Sequence, residues 1–322
     1  MKNNQNKQKD LGIFYTPPLV VDFIFDMLNI MKDKEDKDYQ RWQSKKPRAH
    51  YPSVIDPACG EGIFLKTAIT SGFTGENLRY KAPYVWGIDI DENVVNRWEE
   101  ISLLSLFRND EGKMKNHFYH QNGLIPLKDK KIIYKKAEDG LQKFDAVVGN
   151  PPYGGIGLQE ITPELEEALY NFEIWKKSVR KEYEIDIDKP ELFGNLLSIK
   201  DKERLKKFPI EVLFIDRFIQ LSKPGGYIAI IIPDGILANS SLHYVREFIA
   251  EKTEVIAIIS LPRGTFKEAG TNAKTSILIL KKKKEKGNKL DYPVFLTSTE
   301  KLSQDNFDKI INSFKKFYYD QY

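Results

Sequence analysis

Asp145-Ala146-Val147-Val148-Gly149-Asn150-Pro151-Pro152-Tyr153 begins as one kind of backbone and ends as another. The first half is short, apolar and β-branched, with a charged run before it, as expected of a fully buried strand. The second half cannot extend that strand. Gly149 is permissive, two prolines fix φ and remove two donors, and the residue before each proline is pushed to extended geometry. The predicted result is a stiff corner at the carboxyl end of a strand, presenting an amide side chain, free carbonyls and an aromatic ring. In open α/β sheets, ligands bind outside that end.

Working outward, the same pattern repeats. Ser53-Val54-Ile55-Asp56 reads as a strand, Pro57-Ala58-Cys59-Gly60-Glu61-Gly62 as a tight turn, and Ile63 to Ile69 as the start of a helix. Such a unit brings backbone amides close to a ligand because glycine has no side chain in the way. A dinucleotide fingerprint would need a third glycine; this loop has none and carries an acid that would repel phosphate. Tyr84 to Asp89 is the next strand, and a carboxylate at its end suits a pair of ribose hydroxyls. Asp89 is preferred because the apolar run ends on it, while Asp91 reads as the cap of the helix through Val94, Val95 and Trp98. Ile90 is placed to cover one face of a planar ring. His117 to His120 reads as a third strand, followed by the turn Gln121-Asn122-Gly123.

An exocyclic amine on a nucleobase is a poor nucleophile, because its lone pair is delocalised into the ring. Two acceptors, the Asn150 side-chain oxygen and the Pro151 carbonyl, would draw its hydrogens and localise that pair. Tyr153 would stack on the base, so that catalysis rests on positioning and electrostatics. Asn-Pro-Pro-Tyr after an apolar strand resembles the catalytic motif of S-adenosylmethionine-dependent amino-methyltransferases, above all the N6-adenine DNA methyltransferases; a plain Asn-Pro turn is the competing reading. Phe14-Tyr15-Thr16-Pro17-Pro18 resembles the N-terminal cofactor-binding motif of the gamma-order members. Asp56-Pro57-Ala58-Cys59-Gly60 with Gly62, Phe64 and Leu65 resembles their methionine-binding loop. The resemblance implies that Asp56 accepts from the ammonium group, that Gly60 and Gly62 pack beneath it, and that Cys59 is packing. It further implies that Asn122-Gly123 contacts the cofactor's adenine, where the family commonly has Asp; a simple Asn-Gly turn stays open.

The second half adds Lys223-Pro224-Gly225-Gly226, Ile231-Ile232-Pro233-Asp234-Gly235, and Leu261-Pro262-Arg263-Gly264-Thr265-Phe266 followed by Lys274-Thr275-Ser276-Ile277-Leu278. These resemble type I restriction-modification methylation subunits and type IIG methyltransferase domains. In that family the loop aromatic stacks on a flipped-out adenine opposite the corner tyrosine, a role that maps to Phe266; an ordinary buried Phe is the alternative. Lys281 to Lys284 reads either as a solvated strand exit or as a phosphate contact.

Strand–helix alternation predicts a doubly wound, mostly parallel α/β sheet. The resemblance implies the seven-stranded Rossmann-like methyltransferase version, with its last strand, Thr275–Leu280, antiparallel. The expected organisation is a flexible tail at 1–10, a methyltransferase domain at 11–285 with a helical insert at 155–210, and a C-terminal extension at 286–322. Thr16 is the expected cap and Pro17 the first residue of the first helix, and 32–52 is read as a charged surface connection. The insert, rich in Glu and Lys, either caps the cleft or contacts DNA.

Composition sets the outer bounds. The chain has 322 residues, 41% hydrophobic and 30% charged, with a net charge of +4, ordinary for a globular protein and compatible with a nucleic-acid partner. One cysteine and four histidines leave no disulfide framework and no histidine metal site. The polar start has no signal-peptide core, so a cytoplasmic location is expected, with no membrane association. The expected function is S-adenosylmethionine-dependent N6-methylation of adenine in double-stranded DNA, as the modification component of a restriction-modification system. The alternatives are methylation of RNA or of a protein glutamine, or a cofactor-binding subunit inactive without a separate specificity or target-recognition partner.

Overall fold

The computed structural model describes residues 15–43, 52–74, 85–98, 118–127, 143–153, 157–158, 160–183, 199–267, 271–284 and 291–322. The expected tail at 1–10, together with Phe14, His117 and parts of the insert, lies outside the described residues.

In chain order the elements are α1 (Pro18–Gln43), β1 (Val54–Asp56), α2 (Ile63–Thr70), β2 (Val85–Asp89), α3 (Glu92–Trp98), β3 (Phe118–His120) and β4 (Phe144–Gly149). The insert supplies α4 (Pro163–Tyr170), α5 (Ile174–Tyr183) and α6 (Ile199–Lys207). Then come α7 (Ile210–Leu221), β5 (Ser222–Pro233), α8 (Gly235–Ala238), a 3-10 turn at Ser240–Leu242, α9 (His243–Lys252), β6 (Thr253–Ser260), β7 (Thr275–Lys282), β8 (Phe295–Ser298) and α10 (Gln304–Gln321).

The strands form one sheet in the order β3-β2-β1-β4-β5-β7-β6-β8. The first five are parallel, and β7 runs antiparallel to both β5 and β6. Strand periodicity assigns the faces. Val54, Ala146, Val148, Ala229 and Ile231 join one core beneath α1, α2 and α10. Their neighbours Ile55, Val147, Ile228 and Ile230 point into the other, beneath the insert, α7 and α9. Side chains of a strand alternate between faces, so continuous apolar strands are the signature of a sheet covered on both sides. β1 pairs with β2 on one flank and β4 on the other. The chain order reverses there, which opens a crevice at the carboxyl ends.

Several expectations are corrected. Among the described residues the sheet has eight strands, because β8 adds parallel to β6 through Ala257↔Phe295 to Ser260↔Ser298. Phe295–Ser298 therefore extends the sheet, and α10 buries Phe307, Ile310, Phe314 and Tyr318 at helical spacing. Ser303 caps α10 by accepting from Asn306 N–H. The charged stretch after residue 32 continues α1 as far as Gln43. It contains no Gly or Pro before Gln43, and its charges are anchored: Lys32 Nζ donates to the Gly72 and Phe73 carbonyls and Glu35 pairs with Lys281 at 2.6 Å. Lys223–Gly226 loops out of β5, whose pairing passes from Phe144↔Ser222 to Ala146↔Tyr227, with Gly225 at φ 78°.

The Lys281–Lys284 run leaves the sheet at the wrong end for the phosphate role. β7 is antiparallel, so Lys281 pairs with Tyr227 at the start of β5, across the sheet from the strand exits that carry the site. Lys282 Nζ donates to the carbonyls of Ile219 (2.7 Å) and Ser222 (2.9 Å), and Lys283 Nζ to that of Ala250 (2.6 Å). These lysines meet the orphan carbonyls and negative dipole ends of α7 and α9.

Candidate active site

The turn after β1 is shaped by what it must approach. Asp56 is buried, and its Oδ1 accepts from Ala58 N–H at 3.0 Å. Gly60 and Gly62 stand at φ 51° and 86°, the left-handed region where a side chain is strained. Gly62 then starts α2. Trp98 Nε1 of α3 donates to the Gly60 carbonyl at 2.9 Å, fixing the turn from behind. Asp89, at the tip of β2, accepts from Gly60 N–H through Oδ2 (2.7 Å) and from Asp91 N–H through Oδ1 (2.9 Å). Burial pushes the Asp56 carboxyl well above the usual range, countered by its backbone hydrogen bond and reinforced by Asp89; burial raises Asp89 too, against its backbone bonds to Asp91 and Gly60. Burial also raises the Cys59 thiol, which stays protonated and packed. Asp91 caps α3, its Oδ1 accepting from Asn93 N–H.

The β4 corner comes against this turn. Gly149 has φ 153°, and a Cβ there would fall 2.5 Å from Asp56 Oδ1. Asn150 Nδ2 donates to Thr16 Oγ1 at 3.2 Å, and its side chain lies beside the buried Tyr153 hydroxyl. Thr16 thus serves Asn150, and α1 begins at Pro18, with Val20 N–H bonded to the Pro17 carbonyl. That corrects the expected cap at Thr16 and helix start at Pro17. Gly149→Ala is expected to destabilise the protein by about 1–3 kcal/mol, the usual cost of a forced backbone. The check is a lower urea midpoint at unchanged slope; an unchanged midpoint would remove the close approach from the account.

One cavity of about 800 Å³ joins these pieces. Asp56, Pro57, Ala58, Cys59 and Gly60 line one side, Asp89 and Ile90 another, and Asn122 and Gly123 a third. Tyr15, Thr16, Asn150 and Pro152 close it on the catalytic side. Ile90 is 56% exposed and Tyr15 43%, so two apolar groups lie open at the rim, as a bound planar ligand would use them. Pro17, Gly62, Pro151, Tyr153 and Phe266 are not on its wall. Tyr153 and Phe266 are each 1% exposed and meet edge to face, ring centroids 6.4 Å apart. The two rings rest directly against each other, with no gap between them.

A model of the Eco57I restriction-modification methylase family matches residues 84–266, more than half of the chain. The chain belongs to that family. M.BstVI, a type II methyltransferase of Geobacillus stearothermophilus, is 22% identical over 97% of this chain. The Eco57I-family chain spans only about half (49%) of that relative. Two solved structures share its fold. One, from Listeria monocytogenes, is assigned to the class I S-adenosylmethionine-dependent methyltransferases: TM-score 0.53, 22% identity, covering 89% of this chain and 71% of that one. The other is the methyltransferase subunit of a Streptococcus thermophilus type I restriction-modification system: TM-score 0.55, 18% identity, covering 94% and 53%.

S-adenosylmethionine is the cofactor expected of this family and fold, and the residues present fit it. Asp56 and Asp89 would face its cationic amino acid and its ribose, Gly60 leaves the floor open, and Ile90 would offer a ring face. Phe64 of the glycine-loop motif and Gln121 of the following turn line the cavity too, and the site of the Eco57I-family chain also holds residues that sequence reading gave no role: Ile125, with Leu158, Leu165 and Phe214 from the insert and α7. Gly157, Leu158 and Leu165 thus bring the first part of the insert onto the cleft wall. Nothing local marks these positions, since a helix-face Leu or Phe reads as core whichever surface it meets.

Proposed function

We propose that this chain is the methyltransferase component of a restriction-modification system, moving a methyl group from S-adenosylmethionine to the exocyclic N6 of an adenine in duplex DNA. The observation that carries the proposal is the single cavity shared by Asp56, Asp89 and Asn150. Asp56 would hold the ammonium group and Asp89 the ribose hydroxyls. When bound, S-adenosylmethionine supplies an electrophilic methyl on a positively charged sulfur. Asn150, held by Thr16, accepts a hydrogen bond from the adenine amine and localises its lone pair for direct attack. The Pro151 carbonyl is the second acceptor, and the proton lost from nitrogen leaves to water after the new bond has formed. The target base is rotated out of the duplex, and it stacks between Tyr153 and Phe266 once Phe266 has swung away. No metal has a part in this scheme.

The chain spans about half of M.BstVI, and a separate specificity or target-recognition subunit or domain is proposed to deliver the DNA. No helix among the described residues is long and apolar enough to cross a membrane; the proposed location is the cytoplasm, where the chromosome is. The test is transfer of labelled methyl to duplex DNA, with and without the partner, followed by nucleoside analysis. Label in N6-methyladenine is the expected result. Label in RNA or in a glutamine side chain would replace the substrate, and protein that binds no cofactor would end the reading altogether.

A further inference from the structure

Arg217 of α7 is fully buried, yet it belongs to neither half of the site described above. It stands one helical turn beyond Phe214, which borders the cavity. Its Nε donates to the Gly123 carbonyl and its Nη2 to the Ile125 carbonyl, both at 3.0 Å, and Nη1 reaches Gln220 Oε1 at 3.4 Å. Burial lowers its pKa to about 10, with Asp216 opposing the shift, so the guanidinium remains charged at neutral pH. A buried cation is costly unless its hydrogen bonds are met. Here two of them are met by a loop that lacks regular secondary structure and forms one wall of the cavity.

The geometry of that loop follows from the fork. Residues 121–127 fold over themselves: Asn122 Oδ1 accepts from Leu124 N–H and the Asn122 carbonyl from Ile125 N–H. The Ile125 carbonyl accepts from both Arg217 and Gln121 Nε2, filling its two lone pairs. Gly123 is pressed so closely onto the β1 turn that a Cβ would fall 1.8 Å from the Pro57 carbonyl. With both carbonyls drawn to the guanidinium, Gln121 and Asn122 line the cavity wall together with Gly123, Ile125 and Pro126. The neighbouring Asp216 accepts from Glu173 and Ile174 N–H at the start of α5. One stretch of α7 thus holds the insert with one residue and the cofactor loop with the next.

We infer that Arg217 is a positioning residue for cofactor binding: its planar fork spaces two loop carbonyls and so sets where Gln121 and Asn122 meet the cofactor's adenine. The inference rests on reading this cavity as the S-adenosylmethionine site. Lysine cannot replace it, because a point charge on a flexible stem does not bridge two acceptors held two residues apart.

The test compares wild type, Arg217→Lys and Arg217→Gln by calorimetric titration with S-adenosylmethionine and by turnover on duplex DNA at saturating cofactor, any required partner included. In Arg217→Lys the Kd should rise about tenfold, the loss of one hydrogen bond to a charged group, with kcat within about twofold. Phe314→Leu, in the core on the opposite face of the sheet, serves as the control: it lowers Tm and leaves Kd unchanged. A Kd in Arg217→Lys equal to that of wild type overturns the inference while the functional reading survives. Wild-type protein that binds no S-adenosylmethionine overturns both. Should neither variant fold, amide exchange of wild type decides. Cofactor must then slow exchange across 121–127 and 214–220 together, and a loop indifferent to cofactor rejects the role.

Discussion

Asn150→Ala is expected to lower the rate of methyl transfer by about 10²–10³-fold, the usual cost of removing one preorganised polar group from a transition state, with cofactor affinity nearly unchanged. Asn150 is held by Thr16 Oγ1 at 3.2 Å, and stands on a corner whose prolines suppress backbone freedom. It therefore needs no reorganisation when the amine arrives, and its whole contribution appears in the chemical step. Asn150→Asp separates acceptor from donor. The carboxylate still accepts from the amine but cannot donate to Thr16, so activity should fall between wild type and Asn150→Ala. Single-turnover rates at saturating cofactor, beside a calorimetric Kd, check both variants. A normal rate in Asn150→Ala would remove the corner from the mechanism. A lost Kd would mean that the cavity had collapsed instead.

The second large effect concerns the two acids. Asp56→Asn is expected to weaken S-adenosylmethionine binding by about 10–100-fold, as one charge-assisted hydrogen bond to the ammonium group is lost. The same change should stabilise the ligand-free protein. Asp56 and Asp89 are both buried, Asp89 adds to the shift of Asp56, and both carboxyls are raised. The folded chain therefore holds protons that the unfolded chain has released, and stability falls as pH rises from the ordinary carboxylate range through the raised values. Asparagine keeps the acceptor for Ala58 N–H and removes that charge. Binding depends on pH in the opposite sense, because the cationic ligand favours the ionised acids. Affinity should weaken as pH falls through the raised values, and binding within that window should release protons, seen as a buffer-dependent calorimetric enthalpy. An Asp56→Asn protein with unchanged affinity, or with a lower ligand-free Tm, would show that Asp56 is a structural acid.

Local backbone chemistry was legible in the residues themselves. The strand–glycine turn after Asp56, the acidic tip at Asp89 and the proline corner at Asn150 are decided within a few residues, by φ restriction, missing donors and apolar alternation. The doubly wound architecture follows from their order. The limits of local reading appear at Thr16, which has every mark of a helix cap. Its hydroxyl instead meets Asn150, 134 residues away. The lysine run shows the same limit. Lys281–Lys284 is equally basic at either end of the sheet, and only the antiparallel direction of β7 turns it toward the carbonyls of α7 and α9.

The amino-acid sequence alone determined the corner, the glycine floor and the two acids, because each depends on what a residue permits its own backbone to do. Tertiary structure alone decided that these share one cavity, that the first part of the insert lines it, that Tyr153 and Phe266 rest against each other, and that Arg217 braces a wall. Those outcomes depend on which strands lie side by side and which way they run. Such pairing is settled by burying two apolar faces at once, so no single segment carries the information.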